Sequence, residues 1–133
     1  MRLLLDTNVL VYFLYSDDDL SPSVKINLLD YSNALFTSTV CIHELIHLCQ
    51  TGKIKQNADS VLQDLSNAGI GIEQITVRHL KVFADLALYD DHRDPNDRLI
   101  IAQAIADRIP LVSSDRKFSR YWRYGLDFIY NER

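Results

Sequence analysis

Residues 1–11 read MRLLLDTNVLV, an apolar run that stops at an acid and resumes two residues later. Leu3, Leu4 and Leu5 form an uninterrupted apolar triplet, the pattern of a strand buried on both faces. Asp6 ends that strand, and Val9, Leu10, Phe13 and Leu14 then recur at helical spacing through Tyr15. The reading is a short strand that hands over at once to a helix, with a carboxylate at the junction. In open α/β sheets ligands bind outside the carboxyl ends of the strands. Asp6 therefore predicts a site, and Glu44, Asp94, Asp97 and Asp115 are the acids expected to gather there.

Outward from this stretch the chain alternates strand and helix. Ser16 to Asp19 is a polar loop. Ser21 and Pro22 open a helix as N-cap and first helical residue, running to about Tyr31. Ala34 to Thr37 is a second strand. Ser38 or Thr39 caps a helix that carries residues 41–50 and ends at Gly52. A helix over 55–68 ends at Gly69, a strand follows over 70–75, and Thr76 caps a helix to about Tyr89. Asp90 to Arg93 is a charged loop. Asp94-Pro95-Asn96-Asp97 is a helix start, with Asp94 as N-cap and Asp97 placed to fold back as in a capping box. The helix continues through LIIAQAIADR, apolar on most sides, until Pro110 breaks it. Leu111 to Ser113 is the next strand, 116–123 a short helix, and Asp127 to Tyr130 an edge strand. This alternation predicts a three-layer α/β/α sandwich with a mostly parallel central sheet.

The 133 residues suit one domain with a real core, spanning 1–133. Hydrophobic content of 47% and charged content of 24% are those of a soluble globular chain. No apolar run approaches the ~20 residues of a membrane span. No signal-peptide pattern stands at the start, so the expected location is the cytoplasm. Cys41 and Cys49 fall eight residues apart in one predicted helix, about 12 Å at ~1.5 Å per residue, too far for a disulfide. The net charge of −4 does not advertise nucleic-acid binding. After Ile109, however, Arg116, Lys117, Arg120, Arg123 and Arg133 outnumber Asp115, Asp127 and Glu132, a basic region on an acidic protein.

Each acid has a plain structural reading as well. Asp6, Asp94 and Asp115 can be N-caps, and Asp97 can favour the helix dipole. Together they ask for more, because several carboxylates at one site repel one another and burial raises the cost. A divalent cation removes that cost. Mg2+ and Mn2+ favour oxygen ligands, and such a site can activate water for attack on phosphorus.

LLLDTNVL at 3–10, the helix holding Glu44, HRDPNDRLIIAQAIA at 92–106 and LVSSDRKF at 111–118 together resemble the PIN-domain family, and within it the bacterial VapC-type toxins. The resemblance covers nearly the whole chain, and its four motifs come in the family's order. It implies a metal-dependent endoribonuclease that uses Mg2+ or Mn2+, the toxin component of a type II toxin–antitoxin pair. It carries metal-ligand roles onto Asp6, Glu44, Asp97 and Asp115, with Asp94 as an auxiliary acid. Asn8 and Ser114 would orient carboxylates or water by hydrogen bonding. It also implies an RNA substrate, a small antitoxin occupying the groove, and a homodimer. Arg98, Arg116, Lys117 and Arg120 are candidates for holding the RNA backbone. Asn96 departs from the family pattern, which has an aromatic there and would pack it below the site. His43 departs too, where an apolar or aromatic residue is expected.

Residues 43–47, HELIH, also spell the HExxH zinc signature, with His43 and His47 one turn apart and Glu44 as general base. A zinc metalloprotease is thus an alternative, although the downstream extension that would bring a third ligand is missing. On the nuclease reading His47 is expected to hydrogen-bond Glu44. A second alternative is a catalytically inactive PIN-like module whose acids serve only partner binding.

Overall fold

Leu3, Leu4 and Leu5 are fully buried because β1 (Arg2–Leu5) is the middle strand of the sheet. The structure is a computed structural model and describes all residues from Met1 to Arg133. Five strands lie in the order β3-β2-β1-β4-β5, where β2 is Ala34–Ser38, β3 Gly71–Glu73, β4 Leu111–Ser113 and β5 Phe128–Tyr130. Every neighbouring pair is parallel. The chain moves outward from β1 through β2 to β3, crosses back to β4, and continues to β5. The order of connection therefore reverses between β1 and β4, the place where doubly wound sheets open a crevice. Leu5 pairs with Thr37 on one side and Val112 on the other, so the next residue, Asp6, emerges at the carboxyl edge of this switch point.

Right-handed crossovers put the helices on both faces. On one side lie α1 (Thr7–Tyr15), α2 (Pro22–Leu29), α3 (Thr39–Gln50) and α4 (Ala58–Asn67). On the other lie α5 (Val77–Asp85), α6 (Pro95–Asp107) and a 3-10 segment over Arg116–Tyr124. Buried apolar side chains from β1, β2, β4, five of these helices and the 3-10 segment form one contiguous cluster. α6 is buried on most sides, including Ile100, Ile101, Ala102 and Ala104, as its apolar sequence predicts. Its C-terminus is tied to the start of α5 by Asp107, which pairs with Arg78 and, at 2.9 Å, with His79.

The N-caps fall where side-chain chemistry predicts them. Asp6, Ser21, Ser38, Asp94 and Asp115 each accept from a backbone N–H of the turn they open. Helix ends are less faithful. α2 stops at Leu29, two residues short of Tyr31, and α4 begins at Ala58 because Asn57 caps it by accepting from the N–H of Ser60 at 2.9 Å. α5 ends at Asp85 rather than near Tyr89, and an isolated bridge pairs Tyr89 with His92 in the following loop. α6 ends before Pro110, at Asp107, and its C-cap Arg108 takes a left-handed backbone with φ 55°. The predicted helix over 116–123 is 3-10 throughout, and Gly125, at φ 97°, closes it. Asp17–Asp19, read as loop, is one further 3-10 turn. Cys41 and Cys49 are both free and both lie in α3.

At β3 the sheet edge leaves no room for a side chain at residue 71. A Cβ on Gly71 would stand 2.7 Å from the ring of its register partner Phe36. That ring also carries the Arg2 guanidinium at 4.6 Å. Gly71→Ala is expected to lower stability by about 1–3 kcal/mol through forced repacking. Urea unfolding checks this; an unchanged midpoint would show that Phe36 yields freely.

Candidate functional site

Asp6 is 6% exposed, and its carboxylate is held by two donors. Oδ1 accepts the N–H of Thr7 at 2.8 Å, and Oδ2 accepts the Ser113 hydroxyl at 2.8 Å. Ser113 is the last residue of β4, so this second bond spans the switch point between the two central strands. The same Ser113 Oγ accepts the N–H of Asp115 at 3.1 Å and thereby links two of the acids. Ser114, expected to orient a carboxylate or water, makes no bond to the acids; its hydroxyl accepts from Asn131 Nδ2 at 2.9 Å. Adjacent strand residues face opposite ways, and only the register decides which serine meets Asp6.

Glu44 sits in the first half of α3, over the start of α1. Thr7 Oγ1 donates to its Oε1 at 3.3 Å. Thr7, Asn8, His43, Glu44, His47, Leu48 and Asn96 line one groove. Asn8, expected to orient a carboxylate, is exposed in this groove and makes no hydrogen bond to any of the acids. His47 likewise makes no bond to Glu44; the hydroxyl that meets the carboxylate is Thr7's. Asn96 is at the groove wall rather than in packing beneath it.

The 92–98 block supplies the opposite wall. Asp94 caps α6, its Oδ1 accepting the N–H of Asn96 at 2.9 Å. Asp97 does not fold back on that cap. Its Oδ2 stands 3.5 Å from His92 Nε2, and Asp115 Oδ2 stands 3.7 Å from the same nitrogen. Asp115 caps the 3-10 segment with its other oxygen, accepting the N–H of Lys117 at 2.9 Å. His92 heads the 92–106 motif, and no role is expected for it from the sequence. It is 5% exposed, stacks edge-on against Phe118 and Tyr121, and meets the Tyr121 hydroxyl through Nδ1 at 2.8 Å. The sequence signal that pointed to it was its place at the head of the most specific motif.

Burial and, after it, neighbouring acids raise the pKa values of Asp6, Glu44 and Asp97. Burial pushes the Asp97 carboxyl up to about 8, with further upward pressure from Asp6, Asp94, Glu44 and Asp115. Burial pushes Glu44 to about 7, helped by Asp6 and Asp94 and opposed by the Thr7 hydrogen bond. Asp6 is raised by burial against the pull of its Ser113 and Thr7 donors. Asp6, Glu44, Asp94, Asp97 and Asp115 are thus brought together. No lysine or arginine forms an ion pair with any of the five; only His92 approaches, and burial lowers its pKa. A crowded set of hard oxygen donors without a protein counter-charge suits a divalent cation such as Mg2+ or Mn2+.

The basic candidates separate. Arg98 is 7% exposed, donates to the Leu86 carbonyl at 2.9 Å and lies over the Phe83 ring at 4.7 Å. It is a buried packing residue and does not face solvent, because position 98 on α6 turns away from the site that Asp97 enters. Arg120 forks onto the Asp91 carboxylate, and Lys117 Nζ donates to the Asp91 carbonyl at 2.8 Å. Arg116 is exposed over the Tyr130 ring at 5.6 Å. His43 and His47 share the groove without a third ligand. The ligand atoms of His92, Asp97 and Asp115 lie within 4.8 Å of one another, with Asp6 and Glu44 outside that group, and neither His43 nor His47 takes part in it.

A family model described as PIN domain matches residues 3–123. No curated protein sequence matches significantly. Among solved structures, VapBC2 from Rickettsia felis bound to a DNA fragment from its promoter is similar over 99% of this chain and 100% of that one, at 24% identity and TM-score 0.74. DNA-bound VapBC from Salmonella typhimurium covers 97% of each chain at 17% identity and TM-score 0.69. A member of the VapBC family of toxin–antitoxin systems from Mycobacterium tuberculosis covers 99% and 98% at 19% identity and TM-score 0.62.

The raised carboxyls make a prediction with a definite sign. Asp97 and Glu44 move up from ordinary values of 3.8 and 4.5, so their contribution is full below about pH 4 and is lost as pH rises through 7 and 8. The lowered His92 works the other way, but only below its ordinary value of 6.5. Between pH 6.5 and 8.5 the metal-free thermal midpoint is therefore expected to fall. Added Mg2+ or Mn2+ should restore it, with a larger gain at pH 8.5 than at 6.5. Thermal melts in EDTA and in metal across this range check both trends. A midpoint that stays flat in EDTA would contradict the proposed crowding.

Proposed function

This chain belongs to the PIN-domain family, and from that premise we propose that it is a metal-dependent endoribonuclease, the toxin half of a toxin–antitoxin pair. PIN domains are generally nucleases acting on phosphodiester bonds. The observation that carries the reading is the convergence of Asp6, Glu44, Asp97 and Asp115 at the carboxyl edge between β1 and β4, unpaired by any lysine or arginine. These four would hold Mg2+ or Mn2+, with Asp94 beside them. When bound, such an ion polarises a phosphate and makes a water molecule acidic enough to attack it. The chain's own part is to hold the carboxylates ready. Ser113 and the Thr7 N–H orient Asp6, and the Thr7 hydroxyl orients Glu44. Arg116 and Lys117, both exposed next to Asp115, take the RNA phosphates.

The nuclease is read as a single domain over 1–133 that works in the cytoplasm; no helix is long and apolar enough to cross a membrane. A small antitoxin fills the groove over Glu44, by analogy with the VapBC structures. A homodimer would cover the apolar face around α2, where Ile26 is 70% and Leu29 62% exposed.

The test is cleavage of total RNA. Activity should require Mg2+ or Mn2+, disappear in EDTA and return on add-back. Asp6→Asn and Asp97→Asn should drop to background while folding normally, since asparagine caps α1 as well as aspartate does. Asp97→Asn should melt no lower than the parent without metal, because it removes repulsion. Cleavage that survives EDTA or both substitutions would reject the reading, and a native chain that never cleaves would leave a binding module. Binding should also weaken as salt rises, and Arg116→Ala or Lys117→Ala should lower the logarithmic salt slope by about one each. Salt-independent binding would remove the electrostatic role.

A further inference from the structure

His92 Nε2 is buried, has no hydrogen-bond partner, and faces the acids. At 3.5 Å from Asp97 Oδ2 and 3.7 Å from Asp115 Oδ2 it is too far for a well-formed hydrogen bond to either. The same separations suit a shared ion. Metal–ligand bonds of about 2.1 Å put neighbouring donor atoms about 3.0 Å apart at right angles and about 4.2 Å apart when opposite. The three donor atoms lie within 4.8 Å of one another, so only a small contraction closes them on one centre. On its far side the ring is braced by Phe118 and Tyr121, and Nδ1 meets the Tyr121 hydroxyl at 2.8 Å.

We propose that His92 Nε2 is a nitrogen ligand to the divalent ion shared with Asp97 and Asp115, and that Tyr121 positions it. The inference rests on the metal site of the nuclease reading and departs from an all-acid ligand set. With Nδ1–H donating to the Tyr121 oxygen, the proton sits on Nδ1 and the Nε2 lone pair is free for the ion. An imidazole nitrogen shifts preference from Mg2+, a strict oxygen seeker, toward Mn2+ and later transition ions. The one other buried histidine does not share this arrangement: both ring nitrogens of His79 are occupied, by Thr76 and Asp107.

Pulsed electron paramagnetic resonance of the Mn2+-loaded full-length protein tests this directly. The expected result is a nitrogen coupling of imidazole type, absent in His92→Phe, which keeps an aromatic ring against Phe118 and Tyr121. Competition between Mn2+ and Mg2+ should show the preference for Mn2+ falling on the order of ten- to a hundred-fold in His92→Phe. Tyr121→Phe should keep the coupling and weaken Mn2+ binding. If His92→Phe fails to fold, the His43→Gln/His47→Gln double variant, altered only at exposed positions, must retain the coupling. Coupling that persists in His92→Phe or vanishes in the double variant overturns the assignment. Bound Mn2+ without nitrogen coupling overturns it while leaving the oxygen site intact. No Mn2+ binding at all sinks both this inference and the nuclease reading.

Discussion

One hydrogen bond ties the two central strands together at the point where the site begins. Ser113 at the end of β4 donates to Asp6 at the end of β1, 107 residues earlier in the chain. The bond requires the parallel register Leu5 to Val112, which in turn requires both strands to be buried between helix layers. A one-residue slip would turn Ser113 away and leave the carboxylate of Asp6 with the N–H of Thr7 alone. Buried carboxylates without such donors cost far more than buried leucines. The fold therefore constrains the site, and the site in turn selects the register.

Charge follows from the same geometry. The chain as a whole is only mildly acidic, at −4, yet five acids collect within one edge of the sheet. Basic residues are kept near but not in that edge. Arg120 and Lys117 are drawn to Asp91, and Arg123 to the Tyr89 hydroxyl at 2.8 Å. The result is a negative pocket with a positive rim beside it, an arrangement that suits a polyanion held over a cation.

Much of this was readable in the residues themselves, and the reason is that the signals were local. Leu3 to Leu5 ending at Asp6, Ser21-Pro22 and Asp94-Pro95 each specify a strand end or a helix start within four residues. The strand–helix alternation then forces strand ends and helix starts onto one edge, so the gathering of acids followed from topology. What stayed hidden depended on contacts between distant parts of the chain. Ser113 and Ser114 are indistinguishable until the register is known. Arg98 carries the same charge as Arg116, and only the packing of α6 shows that it is buried against Phe83. His47 sits one helical turn from Glu44 and still yields to Thr7, which arrives from another helix. His92 had no legible partner, because Tyr121 lies 29 residues downstream. Helix ends such as Leu29 and Asp85 were blurred because no strong stop residue stands there.

The burial of Arg98 has an outcome for anyone sorting the chain's cations by function. Asp97 and Arg98 are neighbours on α6, one turned to the pocket and the other into the protein, where its guanidinium bonds the Leu86 carbonyl. Truncating that arginine strands a buried carbonyl and loosens the helix that presents Asp97. An alanine scan of cations scored by turnover would flag Arg98 as strongly as any true phosphate contact. Its defect would show as lost melting temperature with an unaltered salt response, the opposite signature to that of a side chain that grips a strand.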